Sequence, residues 1–241
     1  MEWVGDARLA AEPGAARYLE TAFTPGAHLG TVYDDPTTPI VVTGIEELTT
    51  IRIPSGRLVV DAPWDDDQVW KYGKGLPARP PRELAVRIPP GVYRVEIAWT
   101  AGPYEFMGEH VEGVECAATR LCISDDPVVG WEMGLSVKDD VARLQPGEEP
   151  RFFSDANVGC FADAGAWTTL SAPFRAFMDG APAPRDTEQL ADGCERVRDE
   201  SQQADLVTFW AESDGIVWLG RTKTGDVAAI VVTSGMPDAK A

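Results

Sequence analysis

Phe209-Trp210-Ala211-Glu212-Ser213-Asp214-Gly215-Ile216-Val217-Trp218-Leu219-Gly220 sets an Asp-Gly pair between two runs of β-forming residues. Glycine tolerates positive φ and aspartate bonds its own backbone, so the pair predicts a β-hairpin turning at Asp214-Gly215. With Leu206 to Trp210 before it and Ile216 to Leu219 after it, the tail reads as strands. A third strand, Val227 to Thr233, follows the turn Thr224-Gly225-Asp226.

The same pattern recurs upstream. Leu48 to Ile53 alternates, Pro54-Ser55-Gly56 supplies turn chemistry, and Arg57-Leu58-Val59-Val60-Asp61 returns, which predicts a second hairpin. Leu84 to Ile88, Pro89-Pro90-Gly91 and Val92 to Trp99 predict a third, with Tyr93, Val95, Ile97 and Trp99 facing the core. A further strand is expected over Glu115 to Ile123, ending at Asp125-Asp126-Pro127. Helical density over residues 6 to 20 is interrupted by Pro13-Gly14. Ala172 to Met178 and Asp186 to Gln203 are expected as helices, the latter capped by Asp186. Strands and helices do not alternate regularly, which argues against a doubly wound parallel sheet. The expected fold is α+β: β-rich, mostly antiparallel and sandwich-like, with a few peripheral helices. Residues 1–45 form an N-terminal helical and extended segment packed on a single β-rich domain, 46–241.

The charge is the compositional outlier. Among 241 residues, 39 Asp and Glu against 21 Lys and Arg give a net charge of −18. Such a field repels phosphate backbones and anionic lipid, so neither nucleic acid nor membrane is an expected partner. No stretch approaches the roughly 18 apolar residues of a membrane span. Met1-Glu2-Trp3-Val4-Gly5-Asp6 carries acids where a secretory signal needs a basic region. A cytoplasmic protein with free thiols is expected, since Cys116, Cys122, Cys160 and Cys194 have no zinc-type spacing. Five residues separate Cys116 from Cys122, which on one regular strand gives them a common face.

Several segments in order resemble the bacterial domain-of-unknown-function family 4241. They are Gly56-Arg57-Leu58-Val59-Val60-Asp61, Pro89-Pro90-Gly91-Val92-Tyr93-Arg94-Val95, Arg120 to Trp131, Asp155 to Asp163, and Trp210 to Gly220. The resemblance covers about Leu48 to Thr233. Ala62 stands where the family continues with proline, Asn157 where it has the first glycine of an Asp-Ala-Gly box, and Val217 near its tyrosine. The resemblance implies a β-rich fold and a bacterial origin, and no established reaction.

Two chemistries compete. Asp61, Asp155, Asp163 and Asp214 each end a strand or enter a turn, where a rigid scaffold can present carboxylates to one cleft. Asp155, Asp163 and Asp214 together suit a hard cation, Ca²⁺ or Mg²⁺, and hence a metal-dependent hydrolase. Alternatively each aspartate caps its own turn. The chain has no Gly-x-Ser-x-Gly elbow and only two histidines, His28 and His110, to serve as bases. The leading reading needs no cofactor. It is a non-enzymatic interaction protein, an immunity or accessory factor whose protein partner is basic. Its binding surface comprises Asp61, Trp64, Trp70, Tyr72, Trp210, Glu212 and Trp218.

Overall fold

The computed structural model describes residues 5–32, 35–63, 80–106, 109–145, 148–154, 157–178, 180, 186–191, 193–211 and 214–233. Within them the chain builds two antiparallel sheets. The larger, eight-stranded sheet runs β1 (His28–Val32), β2 (Asp35–Ile53), β5 (Gly91–Phe106), β6 (Glu109–Cys122), β14 (Val227–Thr233), β13 (Asp214–Arg221) and β7 (Gly130–Met133). The short β8 (Arg151–Phe153) also pairs with β13. The smaller, six-stranded sheet runs β10 (Glu188–Ala191), β11 (Cys194–Asp199), β12 (Ala204–Trp210), β9 (Val158–Asp163), β3 (Arg57–Asp61) and β4 (Glu83–Arg87).

The sheets face one another across the main core. Ile51, Ile53, Tyr93, Val95, Leu121, Val217, Leu219, Ile230 and Val232 come from the large sheet, and Leu58, Val60, Leu84, Phe161, Val207 and Phe209 from the small one. Helix α1 (Pro13–Thr21) covers the outer face of the large sheet through Ala15, Tyr18 and Leu19 against Trp131, Trp218 and Val231. Helices α2 (Trp167–Leu170) and α3 (Ala172–Met178) cover the small sheet, where Leu170 and Phe174 meet Cys160, Ala162 and Leu206. The order is thus helix, sheet, sheet, helix. Inner strands are buried on both faces and read as unbroken apolar runs, as in Val227–Thr233, which is buried throughout.

The three segments expected as hairpins reverse the chain differently. β2 and β3 lie in different sheets, as do β4 and β5, and β12 and β13. At each turn the chain crosses from one sheet to the other, so the flanking strands stack face to face and do not pair. β8 and β9 make a fourth crossing. The crossings come in stacked pairs. β2 pairs with β5 while β3 pairs with β4, and β8 pairs with β13 while β9 pairs with β12. In the first stack Gly56 has φ +65° and the position of its absent Cβ is 2.5 Å from the Ile88 carbonyl oxygen, so only glycine fits. Ile88 N donates to Gly56 O (3.1 Å), which locks one corner onto the other. Turn chemistry at 224–226 does close a true hairpin, β13–β14.

Other departures have local causes. Asp186 to Gln203 is not a helix: Gly193, at φ +70°, turns the chain between β10 and β11. Pro13 begins α1, where its missing N–H has no helical partner to lose. Tyr93, Val95 and Ile97 are buried as expected, whereas Trp99 is only half-buried and its indole donates to Glu46 (2.9 Å), at the position where β6 carries a bulge opposite it. The same bulge separates the two cysteines of β6. Cys116 Sγ is 3.6 Å from Thr119 Oγ1, whereas Cys122 lies among Arg120, Glu96 and Arg94. None of the four cysteines is in a disulfide, and burial pushes the Cys116 thiol up to about 11. β2 runs through position 45, so the N-terminal segment shares a strand with the rest of the domain.

Candidate functional site

The pairing of β3 with β9 sets the two ends of the sandwich. Leu58 lies opposite Asp163 and Asp61 opposite Cys160. The 54–56 corner therefore sits at the Asp163 end, and Asn157 and Ala211, which flank the other two crossings, sit at the Asp61 end. Three residues of strand span about 10 Å, so Asp61 and Asp163 do not share a cleft.

At the Asp163 end, that carboxylate accepts from Ser55 N (2.9 Å) in the 54–56 corner. It also accepts from Gly165 N (2.7 Å) and Ala166 N (3.2 Å) at the approach to α2. Asp163 is thus a turn cap that joins two corners. The buried Asp61 also holds main chain, accepting from Ala62 N (2.9 Å) and Arg82 N (2.7 Å). These two residues are where the chain leaves β3 and returns towards β4. Arg82, also buried, donates from Nη2 to Gly134 O (2.6 Å) and lies 3.6 Å from Asp139. Asp139 in turn accepts from Ser136 N (2.6 Å). The 134–137 stretch completes the junction: Ala85 N donates to Leu135 O and Val137 N to Glu83 O, so the edge of the small sheet is tied to β7.

The segments around Asp155 and Asp214 do come together. Asp214 lies opposite Phe153, Gly215 opposite Phe152, and Trp210 opposite Val158; Ala211 N donates to Asn157 O (3.0 Å). Two glycines permit this approach. A Cβ at Gly215 would stand 2.3 Å from the Phe152 ring, and one at Gly159 would be 2.5 Å from Phe209 and 2.9 Å from Phe152. Asn157 occupies the left-handed region at φ 56°, which asparagine tolerates better than most residues. Phe153 and Trp210 remain 47% and 38% exposed at this end.

Of the other residues singled out by sequence, Trp218 is buried beneath α1 and donates to Thr233 Oγ1 (3.3 Å), so it belongs to the core. Trp64, Trp70, Tyr72, Asp155 and Glu212 lie outside the described residues, as does the Asp214 side chain. Asp163 is at the far end from the Asp214 main chain. Among the described residues no group of three His, Cys, Asp or Glu side chains could hold a metal ion. Sequence reading passed over Arg82, because nothing in Pro80-Pro81-Arg82-Glu83 marks an arginine as buried.

Glu83, next in the chain, has a clear electrostatic signature. Hydrogen bonds from Arg57 Nε (2.8 Å) and Nη2 (2.6 Å) hold its carboxyl below the ordinary 4.5, against the opposing effect of burial. A carboxyl lowered in the fold contributes stability above its unfolded value, and that contribution is lost as pH falls through the folded value. Glu83→Gln is therefore expected to lose stability less steeply than the wild type below about pH 4.5. Urea unfolding across that range tests it; parallel profiles would remove the role assigned to the Arg57 pair.

No helix in the described residues is long and apolar enough to cross a membrane. No curated protein and no solved structure matches the chain. A family model does match, over residues 51–235, which takes in both pairs of stacked corners and the Asp61 end. The chain belongs to that family, the proteins of unknown function DUF4241.

Proposed function

We propose that this protein is a binding module, acting in the bacterial cytoplasm as an immunity or accessory factor that engages a protein partner. The observation that carries this reading is the exposure of two aromatic side chains on strands at this end, Phe153 on the large sheet and Trp210 on the small one. Aromatic side chains held on a rigid scaffold are the usual anchors of protein interfaces. The net charge of −18 favours a basic partner and disfavours polyanions.

The test is affinity capture from the native host with wild type and a Phe153→Ser variant. Phe153 is an exposed position, so the substitution should leave folding within about 0.5 kcal/mol. A specific protein retained by the wild type and reduced about tenfold by the variant is the expected result. No specific protein, or equal recovery by both, would overturn the reading.

A further inference from the structure

We draw no further inference here: the strongest candidate, the Trp131 indole buried beneath α1 with no acceptor for its N–H among the described residues, sits in an apolar cluster of the core, and nothing in the structure shows a second group that would bind a ligand there.

Discussion

Arg52→Ala is expected to lower the unfolding free energy by about 3–5 kcal/mol, the range for a buried charge stripped of its partner. Asp205 on β12 is buried in the small sheet, and Arg52 on β2 reaches it from the large one. Arg52 Nη2 is 2.7 Å from Asp205 Oδ1, its Nε is 3.0 and 3.1 Å from the two carboxylate oxygens, and its main-chain N donates at 2.8 Å. The Asp205 side chain is only 3% exposed, so water cannot replace the guanidinium. The bond from Arg52 Nη1 to Glu200 (3.0 Å) adds little, because the Glu200 side chain is 64% exposed. The main-chain N–H survives the substitution, which places the expectation towards the lower end of the range. Urea denaturation decides it. A loss under about 1 kcal/mol would show that the pair does not tie the sheets together. A double variant, Arg52→Met with Asp205→Leu, should recover much of the loss, since an apolar pair leaves no buried charge.

The second large effect is at the stacked corners beside Trp210. Phe209→Ala removes a fully buried ring that packs 4.6 Å from Phe161 and should destabilise by about 3–5 kcal/mol. Gly159→Ala places a methyl group where Phe209 and Phe152 already stand, at 2.5 and 2.9 Å, and should destabilise by about 1–3 kcal/mol through overpacking. The pair provides the sharper test. In Gly159→Ala combined with Phe209→Leu, the smaller side chain relieves one of the two clashes. The double variant should therefore lose less than the sum of the single losses. Strict additivity would mean that Gly159 is required for some reason other than the Phe209 ring.

Much of the sandwich was legible in local sequence. Alternation in Val92 to Ile97 marked the buried face correctly, and Val227–Thr233 was legible as a strand. Turn chemistry at Pro54-Ser55-Gly56 and Pro89-Pro90-Gly91 marked true reversals, whereas Asp214 and Gly215, expected as the third turn, already lie in β13 opposite Phe153 and Phe152. The site was legible only in part. Asp61 and Asp163 were visible as strand-end aspartates, but both hold main-chain amides, and the β3–β9 register sends them to opposite ends. Asp205 and Arg82 carried no local signal, because burial of a charge depends on a partner about 50 to 150 residues away.

The sequence by itself determined which residues turn, which alternate and which face is apolar. Those properties depend on φ preferences and on side chains within a few positions of one another. Only the tertiary structure decided which strand lies beside which. A hairpin and a sheet-to-sheet corner use the same turn residues and bury the same alternating side chains. They differ in whether the two backbones hydrogen-bond to each other or to strands elsewhere in the chain. Ile53 and Leu58 are both buried either way. What makes the Pro54-Gly56 turn a corner is that β2 finds its hydrogen bonds in β5 and β3 finds its own in β9, more than 90 positions further along.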